Sequence, residues 1–366
     1  MTPAHAPLMP SPAPGRIRVL VADDSVVVRG LIARWLGESG IEVVATVPNG
    51  LLAVAALDRV EPDVVLLDLD MPELDGMATL PRLLEKRPDL SVVVISTLTQ
   101  RNADISLKCL SLGAVDYLPK PGSNREVTTS LAFRRELVAK VQGLAPPRRR
   151  SAPHAPAEPP APAPMPRPRL PVAPRCLLIG ASTGGPRAVA EVLGGLGPAL
   201  RFVPTLIVQH MPPIFTAVFA EHLQGQTGLS CREARDGEAP RPGHVYVAPG
   251  GHHMGLLRDG DRKVSLRLDD GPPVNFCRPA VDVLFRDAAA VFGASALAIV
   301  LTGMGSDGLN GAKALVESGA AVIAQDEATS TVWGMPGHVA RNGLAEAVLP
   351  LDGIAPAVRA LLGGGR

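Results

Sequence analysis

The sequence predicts two α/β units, each built on a doubly wound parallel sheet with helices on both faces. Apolar runs of strand length recur roughly every 20–25 residues in both halves of the chain, with helical periodicity between them. A proline-rich stretch separates the halves, and twelve prolines fall within residues 145–174. We therefore expect two folded domains joined by an extended, semi-rigid spacer.

The first unit contains five apolar runs that predict buried strands. They are residues 18–22 (RVLVA), 41–47 (IEVVATV), 63–69 (DVVLLDL), 91–97 (SVVVIST) and 115–120 (VDYLPK). Segments with helical periodicity, such as Val26–Leu36 and Met77–Leu84, lie between them. Nearly continuous apolar strands are typical of a parallel sheet that is covered on both faces.

The second unit repeats this alternation. Its strand candidates are residues 176–182, 205–211, 244–249, 296–303 and 320–326, and its helix candidates include 186–194, 279–291 and 308–318. Residues 252–270 differ, because two short strands flank the turn Asp259-Gly260-Asp261. This pattern predicts a β-hairpin inserted into the α/β alternation.

Composition sets the domain bounds. Residues 1–15 and the linker are rich in Pro and Ala and hold few large apolar groups, so they should not form a core. We expect a disordered tail at 1–15, a first domain at 16–143, a linker at 144–174 and a second domain at 175–366.

Charge and composition exclude several functional classes. A formal net charge of +1 gives no reason to expect nucleic-acid binding or membrane adhesion. The N-terminus has no signal-peptide pattern, and no apolar run reaches the roughly 18 residues that span a bilayer. The four cysteines show no metal-binding spacing and are expected to be buried free thiols: Cys109, Cys176, Cys231 and Cys277. We expect a soluble, cytoplasmic protein.

Acidic side chains lie at strand ends in the first unit. They are Asp23 and Asp24 after the first strand and Asp68 at the end of the third, accompanied by Ser96 and Thr97 in the fourth and Lys120 in the fifth. The carboxyl ends of parallel strands share one edge of a sheet, so these groups should converge. Three converging carboxylates need a divalent cation, and all-oxygen ligation suits Mg²⁺. The cation and Lys120 would neutralise a phosphoryl group moving to a carboxylate.

These residues resemble a response-regulator receiver domain. The resemblance covers Asp23-Asp24, LLDLDMPELDG around Asp68, VVVIS at 92–96 and YLPKP at 117–121. It implies a five-stranded, flavodoxin-like fold that accepts a phosphoryl group from a histidine kinase. By this resemblance Asp68 is the phospho-acceptor, Asp23, Asp24, Asp68 and the backbone carbonyl of Asp70 form the Mg²⁺ site, Ser96 and Lys120 support the phosphoryl group, and Tyr117 is the aromatic switch.

The second unit carries the residues of a serine hydrolase. Ser182 lies on a glycine-rich turn between a strand and a helix that begins near Pro186. A serine needs a histidine base and an orienting acid, and His210 and Asp307 both follow apolar strands. The other histidines lie in tails, helices or strand starts and are expected to be ordinary: His5, His154, His222, His244, His252, His253 and His338. Topology therefore favours His210.

Two other patterns keep alternatives open. Gly180-x-Ser182-x-Gly184 matches the nucleophile elbow of α/β-hydrolases, although that family places the acid before the histidine. Gly303-x-Gly305-x-x-Gly308 matches a dinucleotide fingerprint and would suit a nicotinamide-dependent oxidoreductase. A receiver-linked module that only binds partners and has no catalytic activity is the third possibility.

The second unit also resembles the catalytic domain of the chemotaxis protein-glutamate methylesterases. The shared motifs are GASTGGP, VQHMP, YVAPG, LTGMGSDG, QDEATS and WGMPG, between residues 180 and 337. The resemblance implies nucleophile Ser182, base His210 and acid Asp307, with Thr183 and Met304 near the substrate and oxyanion. It further implies demethylation and deamidation of methyl-accepting chemoreceptors in sensory adaptation, without a cofactor for the hydrolysis. In that family the unphosphorylated receiver packs over the active site.

Overall fold

The computed structural model describes residues 16–121, 127, 130–144, 172–260 and 263–363. The expected tail at 1–15 and all but the ends of the expected linker at 144–174 lie outside these residues. Among the described residues, no helix combines the length and apolarity needed to cross a membrane.

The N-terminal domain is a five-stranded parallel sheet in the order β2-β1-β3-β4-β5. Its elements are β1 (Arg18–Ala22), α1 (Val26–Glu38), β2 (Glu42–Val47), α2 (Gly50–Ala56), β3 (Val64–Asp68), α3 (Gly76–Lys86), β4 (Ser91–Thr97), α4 (Gln100–Ser111), β5 (Asp116–Lys120) and α5 (Leu131–Gly143). Every residue of β3 is buried, as expected for a central strand that is covered on both faces. The predicted flavodoxin-like receiver fold is confirmed.

Side-chain caps begin the helices of this domain. The residue before each described helix is Ser25, Asn49, Asp75, Thr99 or Ser130, and each side chain accepts a backbone N–H from three residues further on. Such caps satisfy N–H groups that have no partner within the helix. The local sequence therefore fixes where these helices start.

The C-terminal domain is a seven-stranded parallel sheet in the order β14-β13-β12-β6-β7-β9-β8. Its strands are β6 (Cys176–Ala181), β7 (Thr205–Gln209), β8 (Ser230–Glu233), β9 (His244–Val247), β12 (Ala296–Val300), β13 (Ala321–Gln325) and β14 (Ala347–Leu349). Its helices are α6 (Gly185–Leu196), α7 (Phe215–Thr227), α8 (Val281–Phe292), α9 (Leu309–Glu317), α10 (Met335–Arg341) and α11 (Leu351–Gly363). The predicted doubly wound parallel fold is confirmed.

The predicted hairpin is confirmed as well. Strands β10 (His253–Arg258) and β11 (Val264–Asp269) pair in antiparallel register and form a separate two-stranded sheet. The sequence did not reveal β8 and β14, which lie at the two edges of the seven-stranded sheet. Edge strands this short bury few residues, so they leave little periodic signal.

The centre of this sheet contains a reversal of strand order. From β6 the chain continues to β7 on one side, and it later returns to place β12 on the other side of β6. Ligands of doubly wound folds bind at such a switch point, beyond the carboxyl ends of the strands. The residues that follow β6, β7 and β12 therefore face one crevice.

The two domains share an interface formed by α4, β5 and α7. The ring of Tyr117 in β5 stacks on Phe215, the first residue of α7, with 4.6 Å between the centroids. Beside this stack, His222 Nε2 lies 2.8 Å from Asp104 Oδ1. Both aromatic rings belong to one apolar cluster that contains residues of both domains. The receiver is therefore packed against the C-terminal domain through a continuous apolar core.

We expect Phe215→Ala to lower the free energy of unfolding by about 3 kcal/mol or more, because it removes a fully buried ring. Thermal unfolding followed by calorimetry measures the change. Phe202→Ala is the matched control, since Phe202 is 48% exposed and precedes the opposite end of β7. An equal loss of unfolding free energy in both variants would contradict the interpretation that the interdomain stack is a stabilising contact.

Candidate functional site

Adjacent strand ends bring Ser182, His210 and the Asp307 turn to one place. Ser182 and His210 directly follow Ala181 and Gln209, which are paired across β6 and β7. The backbone N–H of His210 donates to Ala181 O at 3.1 Å, and that of Ser182 donates to Thr302 O at 3.1 Å. Ser182 is therefore held between the end of β7 and the turn that follows β12.

A buried hydrogen bond joins the predicted base to the predicted acid. His210 Nε2 lies 2.8 Å from Asp307 Oδ2, and the Asp307 side chain is only 2% exposed. Two residues separated by 97 positions in the chain therefore form a direct contact. This contact fixes the orientation of the imidazole ring, as an orienting acid does in serine hydrolases.

The start of α8 holds the carboxylate of Asp307. The backbone N–H groups of Val281 and Asp282 donate to its two oxygens at 2.6 and 3.1 Å, and Asn275 Nδ2 donates at 2.9 Å. Burial raises the pKa of Asp307, but the hydrogen bonds from His210, Val281 and Asn275 outweigh it and lower the pKa below its ordinary value. A helix N-terminus also favours negative charge. Asp307 is therefore an anion at neutral pH.

The charge state of His210 follows from the same environment. Burial favours the neutral imidazole, whereas Cys277 and Asp307 favour the protonated ring, and the net effect raises the pKa of His210 above its ordinary value. Nε2 is committed to Asp307, so the hydrogen-bond network assigns the lone pair of the neutral ring to Nδ1. Nδ1 is therefore the atom that can take a proton from a nucleophile.

The Ser182 hydroxyl is half-buried, and within the described part of the chain it makes no hydrogen bond to His210. Instead, Cys277 Sγ lies 3.5 Å from His210 Nδ1. Hydrogen bonds between nucleophile and base are often absent without substrate and tighten when it binds. The structure places Ser182 and His210 at the ends of two adjacent strands and joins His210 directly to Asp307.

Two glycines allow the close approach around Ser182. Gly184 has a φ of 75°, a left-handed conformation that disfavours other residues. A Cβ added at Gly303 would lie 2.8 Å from Ser182 Cβ, so a side chain there would displace the serine. In the 303–308 turn, Gly303 thus allows packing on Ser182, and Asp307 binds His210. This arrangement contradicts the dinucleotide-binding interpretation of that turn.

Thr183 and Met304 belong to the two segments that meet at Ser182, the turn after β6 and the turn after β12. Thr183 is buried, and its backbone carbonyl accepts the Thr302 hydroxyl at 2.9 Å. Met304 is half-buried and directly follows Gly303. A Cβ added at Gly143, the last residue of α5, would lie 3.7 Å from Met304 Sδ and 3.6 Å from Val332 Cγ1. The receiver therefore covers the Met304 side of the site.

Sequence reasoning missed two residues of the site. Cys109, Cys176 and Cys231 are buried free thiols as predicted, but Cys277 is half-buried and contacts the imidazole. The prediction for Cys277 was wrong because the contact crosses 67 positions and only the fold creates it. Asn275, which orients Asp307, was also missed. Its only sequence signal is a polar residue shortly before a helix that starts at the site.

The receiver carries its own cluster of predicted residues. Carboxylate oxygens of Asp23, Asp24 and Asp68 lie within 4.8 Å of one another. Lys120 Nζ donates to Asp68 at 2.8 Å and to Asp23 at 3.3 Å. Burial raises the pKa of Asp68 to about 7, Lys120 opposes the rise, and Asp23 and Asp24 add to it. One ammonium against three carboxylates leaves excess negative charge, which fits a divalent cation.

The other predicted receiver residues occupy defined positions. The carboxylate of Asp70 points away from the acidic cluster and accepts a hydrogen bond from Asn102 at 3.1 Å, which leaves only its backbone carbonyl as a ligand candidate. Ser96 Oγ is 2.9 Å from Ser106 Oγ of α4. Tyr117 is buried against Phe215, and burial holds the pKa of its phenol well above the usual value. Ser96 thus contacts α4, and Tyr117 lies in the interdomain surface.

Comparison with known proteins gives matches over both domains. The profile of the family described as CheB methylesterase matches residues 177–358, and that of the response regulator receiver domain matches residues 19–132. A protein from Nitrobacter hamburgensis named protein-glutamate methylesterase/protein-glutamine glutaminase is 51% identical over 361 residues, covering 95% of this chain and 94% of that one. One from Azospirillum brasilense with the same name is 47% identical, with 94% and 92% covered.

Among solved structures, the Thermotoga maritima CheB methylesterase catalytic domain is similar to this chain. It is 41% identical, with a TM-score of 0.50, and the match covers 52% of this chain and all of that one.

We expect a fluorophosphonate probe to label Ser182 at a rate that rises with pH, because Nδ1 of His210 accepts a proton only after the ring is neutral. Asp307→Asn removes a group that raises the pKa of His210, so the rise should move to lower pH. The maximal labelling rate of this variant should fall by up to about 10⁴-fold. Mass spectrometry of timed samples measures both effects.

Ser182→Ala is the control for site-specific labelling. Labelling of Asp307→Asn with the rate and pH profile of the unmodified chain would show that His210 and Asp307 do not activate the serine.

Proposed function

Because the chain belongs to the CheB methylesterase family and carries a receiver domain, we propose that it hydrolyses glutamate γ-methyl esters of chemoreceptors under phosphorylation control. The relatives that cover nearly the whole chain are named for this activity and for protein-glutamine glutaminase activity. The 2.8 Å contact between His210 and Asp307 beside Ser182 is the observation that carries the proposal.

In the first half-reaction, the Ser182 hydroxyl attacks the γ-carbonyl carbon of the methylated glutamate. His210 Nδ1 takes the hydroxyl proton as the new C–O bond forms, and Asp307 stabilises the resulting imidazolium. The tetrahedral intermediate then collapses. His210 returns the proton to the methoxy oxygen, methanol leaves, and the glutamyl group remains as an ester on Ser182.

In the second half-reaction, a water molecule gives its proton to His210 Nδ1 and attacks the same carbonyl carbon. Collapse of this intermediate breaks the ester bond and returns the proton to Ser182 Oγ. The product is a glutamic acid side chain, which releases its proton to water and becomes a carboxylate. A glutamine side chain enters the same sequence with ammonia as the leaving group, which supports a deamidase activity.

Backbone N–H groups would stabilise the oxyanion of both intermediates. We assign this role to Thr183, which follows the nucleophile, and to Met304, which follows Gly303 in the turn that packs against Ser182. Donors that are fixed before the reaction stabilise developing charge without reorganising, which is the usual source of a large rate effect. Hydrolysis by this machinery needs no cofactor.

Phosphorylation takes place in the receiver at Asp68, with a histidine kinase as the proposed donor. Asp23, Asp24, Asp68 and the backbone carbonyl of Asp70 would hold Mg²⁺, which supplies charge neutralisation at the phosphoryl oxygens. Lys120 already contacts the acceptor carboxylate, and it would pair with the transferred group. Ser96 would contact a phosphoryl oxygen after its hydroxyl leaves Ser106.

The interdomain contacts support gating of the catalytic site by the receiver. Tyr117 stacks on Phe215, and Phe215 is only five residues after His210 in the chain. The end of α5 lies against Met304 and Val332. Weakening of this interface by phosphorylation would open the site. Couplings of this kind are typically 1–3 kcal/mol, which corresponds to roughly 5–150-fold in activity.

The domain bounds and the compartment belong to the same proposal. We assign the receiver to residues 16–143 and the catalytic domain to 175–366, with a tail at 1–15 and a Pro-rich linker at 144–174. We place the enzyme in the cytoplasm, where the free thiols, including Cys277, would stay reduced.

We expect Ser182→Ala to lower methanol release from methylated receptor membranes by on the order of 10⁴-fold, because the nucleophile is lost. Gas chromatography or radiolabelled methanol measures the release. Ser230→Ala, in the edge strand β8, is the matched control and should retain full activity. Substantial activity in Ser182→Ala would rule out the assigned mechanism.

We expect Asp68→Asn to abolish activation of methanol release by a small phosphodonor, since the acceptor oxygen is lost. Asp58→Asn, an exposed aspartate in a surface ion pair with Lys86, serves as the control and should be activated as the unmodified chain is. Activation that persists in Asp68→Asn would overturn the proposed phosphorylation site, whatever the basal activity.

A further inference from the structure

Most of the positive-φ residues that are not glycine lie near the residues of the catalytic crevice in the chain. Among the described residues, four that are not glycine have positive φ, and three of them flank His210 or contact its partners: Ile214, Asn275 and Phe276. Residues held in such sparsely populated conformations cluster at functional sites. Asn275 has a local explanation, because it donates a hydrogen bond to Asp307. Phe276 has none of this kind.

Phe276 occupies the position in a tight turn where glycine is favoured. Val274 and Cys277 exchange two backbone hydrogen bonds of 3.1 and 2.9 Å, so Asn275 and Phe276 are the central pair of a two-residue hairpin turn. Their φ values are 51° and 65°. This geometry matches the type I′ turn, for which Asn-Gly is the preferred pair. A phenylalanine is therefore conformationally unfavourable at position 276.

Within the described part of the chain, the side chain of Phe276 makes no buried contact that would offset this strain. Phe276 is 97% exposed, the largest exposure of any large apolar residue among those described. An aromatic ring in water contributes no burial to folding, and it adds apolar surface that favours association. The benefit of this residue therefore lies in contact with another molecule.

The position of the Phe276 ring next to the catalytic crevice indicates which molecule it contacts. On one side of Phe276, Asn275 binds Asp307, and on the other, Cys277 contacts His210. Ile214, four positions after His210 in the chain, is a second exposed apolar residue. Its side chain is 42% exposed. The Pro212-Pro213 segment before it packs against Gly250 and Gly251, and the backbone N–H of Gly251 donates to Arg278 O. A polypeptide that presents a side chain to Ser182 must cross this rim.

We propose that Phe276 is the docking residue for the protein substrate, where it packs against apolar side chains that flank the glutamate ester. This inference rests on the proposed function and adds a recognition element to the same site. Exposed aromatic side chains next to a binding centre are frequent hot spots of protein recognition. Phe276 stays exposed with the receiver in place, whereas Met304 and Val332 are half-buried and lie next to Gly143 of the receiver. Docking and gating therefore use different sides of the crevice.

The test compares a protein substrate with a small one in full-length enzyme. The variants are Phe276→Gly, which suits the left-handed turn and should fold at least as stably, and Phe276→Ala. Methanol release is measured from methylated receptor membranes and from N-acetyl-glutamate γ-methyl ester amide. We expect KM for receptor membranes to rise on the order of tenfold in both variants, with kcat and the small-ester kinetics unchanged. Phe202→Ala, which precedes the amino end of β7 and therefore lies at the other end of the strand from His210, should change none of these values.

Three outcomes would overturn the inference. Unchanged receptor kinetics in both variants would show that the ring does not contact the substrate. Equal losses on both substrates would show that position 276 acts on the catalytic groups. An unmodified enzyme that releases no methanol from either substrate would instead overturn the proposed function, and this inference with it.

Discussion

The buried carboxylate of Asp307 is the group on which the rest of the catalytic site depends. It is almost fully removed from water and accepts hydrogen bonds from four donors on three parts of the chain. An ionised group without such partners would be strongly destabilising in this position. The need to satisfy one charge therefore holds the end of β7, the start of α8 and the 274–277 turn together. The imidazole orientation, the turn geometry and the access to Ser182 follow from this arrangement.

Each of the two domains contributes one buried aromatic ring to the interface between them. Tyr117 is buried at the end of the receiver sheet, and Phe215 starts the helix after His210. A displacement of one ring requires repacking of the other, because a closely packed interface cannot absorb a void. Asp68 and His210 are thus linked through few intervening residues. The polar pair Asp104 and His222 lies at the rim, where it adds specificity more than stability.

Periodic apolar patterns predicted the long central strands and the helices next to them, including the hairpin at 252–270. The short edge strands β8 and β14 were missed, since three or four residues on a sheet edge carry almost no pattern. Among eight histidines, strand-end position also selected the one that contacts Asp307 in the structure. It could not predict that Cys277 would face the imidazole, because neither spacing nor local structure relates the two residues.

By itself, the sequence determined the order of strands and helices, the helix starts and the chemical types of residue at the strand ends, because these depend on neighbours within a few positions. Tertiary structure alone decided which of those residues meet. The reversal of strand order places β7 and β12 on either side of β6, which ends directly before Ser182, and the start of α8 stabilises the charge of Asp307. The tertiary structure also decided that Phe276 faces water in a left-handed turn. Contacts of this kind arise between distant segments, so only the folded chain specifies them.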